Sequence, residues 1–310
     1  MNFSSPLTRR EICRKALLFS AALALPRTLL GQTAAAPHTH GQHFLCLGDW
    51  GTGNETQFAV ARALQRYTGE LGRPPDALLL LGDNFYGRLE GVDSPRWKQQ
   101  FEDMYPAADF PGACYAVLGN HDYDDQPGGQ DIQLAYAKTG GTRWRMPSLW
   151  YRVDLPLVSF LCVNTHYAKL KPEEIAAQEA WLKSGLAASR TKPWLIVCGH
   201  HPVLSCGKNH RDSKHLAHWR DLFQEHHVDA YLCGHEHDLQ HLKEEGRITH
   251  WVVSGGGGQG LHPVEPDDRA HFGEATHGFF HLALSEKELT GRFVNADGKV
   301  IHEWNQQRNT

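Results

Sequence analysis

Five short apolar runs in this 310-residue chain each end in a glycine followed by a side chain of metal-ligating type. They are Leu45-Cys46-Leu47-Gly48-Asp49, Leu79-Leu80-Leu81-Gly82-Asp83, Ala116-Val117-Leu118-Gly119-Asn120-His121, Leu195-Ile196-Val197-Cys198-Gly199-His200 and Ala230-Tyr231-Leu232-Cys233-Gly234-His235. Two further donors follow closely, Tyr86 after Asp83 and His237 after His235. A buried parallel strand reads as a short continuous apolar run, and open α/β sheets bind ligands beyond the carboxyl ends of such strands. Five strand ends offering Asp, Asp, Asn, His and His therefore describe one site assembled from five places. Oxygen and nitrogen donors of this kind suit two hard or borderline metal ions. A glycine-aspartate or glycine-asparagine-histidine step alone is an ordinary turn; five in this order are not.

The segments between the runs fit an alternating chain. Residues 55–67 read as a helix with Phe58, Ala61, Ala63 and Leu64 near one face, between strands ending near Asp49 and spanning 76–81. Ser94 and Pro95 offer the cap and first position of a second helix reaching Tyr105, and 115–118 reads as the third strand. This βαβαβ opening calls for a parallel sheet. The middle of the chain differs, since 150–155 and 158–164 read as a hairpin, followed by a helix over 172–188. Apolar strands at 194–198 and 228–233 flank a helix near 216–226. Strands near 248–253, 279–284, 289–295 and 300–304 close the chain, with turn residues at Asn295-Ala296-Asp297-Gly298. The expected class is α/β, with two packed mixed β-sheets flanked by helices. No repeat or linker divides 43–305, which read as one domain.

Residues 1–36 read as a leader. Arg9-Arg10 and Arg14-Lys15 precede an apolar run over 16–25, and Ala34-Ala35-Ala36 offers a cleavage site. The adjacent arginines point to the twin-arginine export machinery as a partner of the precursor, and to a periplasmic or secreted destination. The apolar run is too short for a bilayer span, and no later stretch approaches one. The leader carries a net +4 of the chain's −4, leaving −8 beyond Ala36. With no Lys/Arg block, the chain is a poor nucleic-acid binder. Six cysteines remain after the leader, mostly in apolar surroundings and without a CxxC pair. They read as buried thiols, not as a zinc site.

The blocks Gly48-Asp49-Trp50-Gly51, Gly82-Asp83-Asn84-Phe85-Tyr86, Gly119-Asn120-His121-Asp122, Val197-Cys198-Gly199-His200 and Gly234-His235-Glu236-His237 resemble the five motif blocks of the purple acid phosphatases. These belong to the wider calcineurin-like metallophosphoesterases, and the match is with the small, tartrate-resistant type. The resemblance runs from Phe44 to about Gly258. It implies the superfamily's α/β/β/α sandwich and a metal-dependent acid phosphatase. By resemblance, Asp49, Tyr86 and His237 hold Fe(III), Asn120, His200 and His235 hold a divalent iron, zinc or manganese, and Asp83 bridges the two. A metal-bound hydroxide then attacks the phosphorus of a monoester. The spacing of Asp83 and Tyr86 separates purple acid phosphatases from most of the superfamily, which lacks that tyrosine.

The same resemblance puts His121 on the substrate, as a phosphate contact or leaving-group acid. His210 lies ten residues after His200, where the family's segment is one residue shorter. It falls either over the site, with a similar role, or displaced from it. His166, at a strand end, is a further candidate to face the site. His201, His215, His218, His226, His227, His241, His250, His262, His271, His277 and His281 match no motif and read as surface or core. Gly255 to Gly258 reads either as a backbone approach to phosphate or as a surface turn. The expected partner is a small phosphate ester or a phosphoprotein. Two rival readings stay open: a phosphodiesterase or nucleotide hydrolase with two divalent ions, and a non-hydrolytic di-iron redox or metal-binding protein.

Overall fold

The computed structural model describes residues 41–188 and 191–308; the leader expected at 1–36 lies outside them. In chain order the strands are β1 (Gln42–Leu47), β2 (Ala77–Leu81), β3 (Ala113–Val117), β4 (Trp144–Arg145), β5 (Tyr151–Asp154), β6 (Val158–Cys162), β7 (Trp194–Cys198), β8 (Ala230–Cys233), β9 (Leu239–Leu242), β10 (His250–Ser254), β11 (Ala270–Glu274), β12 (Gly278–Leu284), β13 (Glu288–Asn295) and β14 (Val300–Gln307). They form two seven-stranded sheets, ordered β14-β13-β12-β1-β2-β3-β4 and β11-β9-β10-β8-β7-β6-β5. In the first, β1 to β4 run parallel and β12 to β14 are antiparallel. In the second, β6, β7, β8 and β10 run parallel, flanked by antiparallel β5, β9 and β11.

The parallel strands are buried on both faces, which is why they read as unbroken apolar runs. Phe44 of the first sheet meets Phe160 of the second edge to face at 5.0 Å. Ser254 is buried between β10 and β1, accepting Gly48 N–H at its carbonyl and donating its hydroxyl to Cys46 O. The two sets of carboxyl ends are thereby tied together. All six described cysteines are buried and free, as their apolar surroundings predict.

Helix α1 (Glu55–Leu71) starts at Asn54, whose side chain accepts from Thr56 N and Gln57 N, and stops at Gly72 with φ +68°. Val60, Ala61, Ala63 and Leu64 are buried along it, but Phe58 is 44% exposed, against expectation. Gln57 takes the inward position instead, bonding Gly53 N and Gln100 O. The second expected helix is also corrected. Residues 97–102 form a π-helical turn, with Asp103 N–H donating to Lys98 O, and the Ser94 hydroxyl makes no cap. That turn brings Trp97 onto Tyr136 (3.6 Å) and Phe101 onto Trp144 (5.2 Å). Short helices α2 (His121–Asp124) and α3 (Gly129–Tyr136) follow, then α4 (Pro172–Ala188) and α5 (Trp219–Glu225). No described helix is long and apolar enough to cross a membrane.

Candidate metal centre

The chain leaves β1, β2 and β8 through left-handed backbone. Asp49 (φ +59°), Asp83 (φ +48°) and His235 (φ +70°) are three of the four described non-glycine residues with positive φ. Such conformations cost on the order of 1–3 kcal/mol each and persist where surrounding contacts over-determine them. Here those contacts join different strand ends. His235 N–H donates to Asp49 Oδ2 (2.8 Å), and His121 N–H donates to Asp83 Oδ1 (2.9 Å). The glycines between strand and ligand are demanded by the same crowding. A Cβ on Gly82 would stand 2.4 Å from the His200 ring, and one on Gly119 would stand 2.1 Å from Asp83 Oδ1.

All seven candidate ligands converge. The Tyr86 hydroxyl lies 3.3 Å from Asp49 Oδ1, 3.2 Å from Asp83 Oδ2 and 3.4 Å from His237 Nε2. Donor atoms of Asp49, Asp83 and His237 all lie within 4.8 Å of one another. On the other side of Asp83, His200 Nε2 is 3.4 Å from Oδ1 and 3.1 Å from Asn120 Oδ1. The His235 ring packs on His200 at 5.1 Å and makes no hydrogen bond among the described residues. Asp83 thus sits between a Tyr86, Asp49 and His237 group and an Asn120, His200 and His235 group.

The donor set fits cations. Asp49 and Asp83 are buried (0% and 1% exposed), yet among the described residues no lysine or arginine reaches either. Buried carboxylates without a counter-charge are costly. Each histidine is also set by a backbone carbonyl. His200 Nδ1 lies 2.9 Å from Leu81 O and His237 Nδ1 lies 2.7 Å from Gly260 O, so Nδ1–H donates and each Nε2 faces the carboxylates. Burial opposes charge on His200, but Asp83 outweighs it and lifts the pKa to about 9. Burial, then the Asp49 and Asp83 charges, push the Tyr86 phenol upward, so a phenolate there needs a strong cation beside it.

Further imidazoles surround the candidate ligands. His121 packs against Tyr86 at 4.6 Å, with Nδ1 2.8 Å from Asp125 Oδ1. His210 packs on His235 at 4.1 Å, so of the two placements open to it the one over the site is found. His201 and His262, which match no motif, adjoin the site as well: His201 packs on His235 at 4.2 Å and His262 stacks on His237 at 4.0 Å. His166 stands one ring further out, stacked on His201 and 3.2 Å from Asp124. Asp122 has a task not visible in its motif. Buried, it accepts from Gly119 N, Asn84 N and Phe85 N and from the Gln133 amide, joining the loops after β2 and β3. Gly255 to Gly258 is buried, so it is not a surface turn. Gly257 N–H donates to Gly48 O, and a Cβ there would meet that oxygen at 2.2 Å, so the run wedges beneath the β1 turn.

This two-sheet framework, with candidate ligands at five strand ends, matches the metallophosphoesterase sandwich, and the comparisons agree. Residues 42–239 match the calcineurin-like phosphoesterase family. Human tartrate-resistant acid phosphatase type 5 is 31% identical over 92% of this chain and 95% of its own length. Purple acid phosphatase 3 of Arabidopsis thaliana is 28% identical over 84% of this chain and 76% of its own length. In fold, the chain resembles GAP50, the anchor in the inner membrane complex of Plasmodium. That likeness has a TM-score of 0.77 at 24% identity, covering 87% of this chain and 90% of the other. The chain belongs to the calcineurin-like phosphoesterases, among the purple acid phosphatases of the tartrate-resistant type, and is a metal-dependent phosphoesterase.

Proposed function

We propose that the chain hydrolyses phosphate monoesters at a dinuclear centre. Asp49, Tyr86 and His237 hold a ferric ion, Asn120, His200 and His235 hold divalent iron, zinc or manganese, and Asp83 is shared. The observation that carries this reading is the Tyr86 hydroxyl lying 3.2–3.4 Å from two buried carboxylate oxygens and an imidazole nitrogen. A phenol so placed suits a hard trivalent ion better than a site for two divalent ions. When bound, two such ions neutralise phosphate charge and activate water.

The chain's own backbone and side chains set direction and protonation. The Leu81 and Gly260 carbonyls fix which nitrogen of His200 and His237 faces inward. His121, its Nδ1 beside Asp125, stands next to Tyr86 and suits proton delivery to a departing alkoxide. His210 flanks the other half beside His235. The substrate is a small phosphate ester or a phosphoprotein segment. Asp83→Ala tests the arrangement: both ions should be lost together, and full retention of either would contradict the shared role.

The same proposal includes export, with 1–36 as a twin-arginine leader on a catalytic domain spanning 43–305. It is supported by Arg9-Arg10 ahead of the apolar run. Arg9→Lys with Arg10→Lys should trap precursor in the cytoplasm; normal export of that double variant would contradict the address.

A further inference from the structure

Glu236 lies between two proposed ligands, His235 and His237, and has no part in binding metal as proposed. Its side chain is fully buried, and among the described residues no lysine or arginine reaches it. A buried carboxylate needs partners, and these come from the loop that carries His210. Asn209 N–H donates to Oε1 (3.1 Å) and His210 N–H donates to Oε2 (3.0 Å). His262 Nδ1 lies 3.2 Å from Oε2. The loop closes down on the carboxylate so tightly that a Cβ on Gly207 would stand 2.2 Å from Oε1. The His210 ring packs on His235, and the His262 ring stacks on His237.

We propose that Glu236 is a positioning residue, which folds the 207–210 loop around its carboxylate and so holds the His210 imidazole over the phosphate site. The proposal rests on the role given to His210 above. Backbone N–H bonds to a buried carboxylate are charge-assisted and stronger than neutral ones. Losing them loosens the Asn209–His210 end of a loop whose start is held by Lys208 N–H to Pro263 O, and that end must be placed to within about 1 Å, an error that costs up to about 10²-fold in rate. Donor atoms of His210, Glu236 and His262 also lie within 4.8 Å of one another, a spacing open to a cation. The N–H bonds already made by both carboxylate oxygens favour the strut over a third metal.

The test is a double-variant cycle on the metal-loaded full chain. Glu236→Gln keeps the shape but turns an amide NH2 toward N–H donors. It should keep its metal content and its fold, melt somewhat lower, and lose kcat by up to about 10²-fold. In a His210→Ala background the same change should cost less than about twofold, because the residues act as one unit. Gly207→Ala perturbs the contact from the loop side, leaves the ligand block intact, and should show the same non-additivity. Losses that multiply in both cycles, wild-type kcat in Glu236→Gln, or departure of a third metal equivalent with the carboxylate would each overturn the proposal. A wild-type chain inert toward phosphate monoesters would instead overturn the function proposed above, before any cycle is run.

Discussion

The phenol of Tyr86 and the imidazole of His121 touch at 4.6 Å, yet their proposed tasks differ. Tyr86 faces two carboxylates and an imidazole nitrogen, which makes it part of the cation's surroundings. His121 gives its backbone N–H to Asp83 and its ring to Asp125, so its side chain is free of the carboxylate pair. His121→Ala should therefore keep both metals while turnover falls about 10²–10⁴-fold, the usual scale for a general acid. Measured across a series of phenyl phosphates, the loss should shrink as the leaving group improves. An equal loss across the series would reassign His121 to phosphate binding, and loss of metal would remove it from acid catalysis altogether.

At the scale of elements, legibility followed burial. The strands that carry ligands are buried on both faces, and that environment forces continuous apolar runs which stand out in the sequence. Their glycines were equally legible, since neighbouring ligands leave no room for a Cβ at Gly82 or Gly119. Some elements with other constraints were not, although the partly exposed β5 and β14 were. The two-residue β4 and the half-exposed β11 have no apolar run to display, and β9 buries Gln240 and His241 because partners satisfy them. The Ser94 cap and α-helix gave way to a π-helical turn because tertiary packing of Trp97 and Phe101 outweighed local cap chemistry. Phe58 stayed outside because Gln57 found two backbone partners inside. The site showed the same division. Five of the seven candidate ligands directly follow a glycine, whereas Asp122, Glu236, His201 and His262 act through long-range contacts that no local pattern announces.

The whole molecule joins a site proposed for acid conditions to a fold holding neutral histidines deep inside. His241 links His250 and His302 through hydrogen bonds and stacks on Trp304 at 3.8 Å; burial, then neighbouring positive groups, lower its pKa to about 2. Burial, then Lys243, lowers His250 to about 3, and burial, then His43, lowers His281 to about 3. Between these values and the unfolded pKa of about 6.5, the unfolded chain binds more protons than the folded one. Stability is therefore full above about pH 6.5 and is lost as pH falls through the window. Each pKa unit is worth about 1.4 kcal/mol per site. The melting temperature should fall steadily from pH 7 to pH 4 at constant metal content. His281→Gln, which can still meet the Tyr67 hydroxyl, should flatten that slope, and an unchanged slope would contradict the assignment. The proposed dinuclear centre, with its one ferric ion, is tested most directly by metal analysis with a visible spectrum, on oxidised, active protein and on Tyr86→Phe. The expected result is two metal ions per chain, one of them iron, and a phenolate-to-iron band that colours the protein and vanishes in the variant while the fold is kept. An active, oxidised protein with two bound metals and no visible band would contradict it.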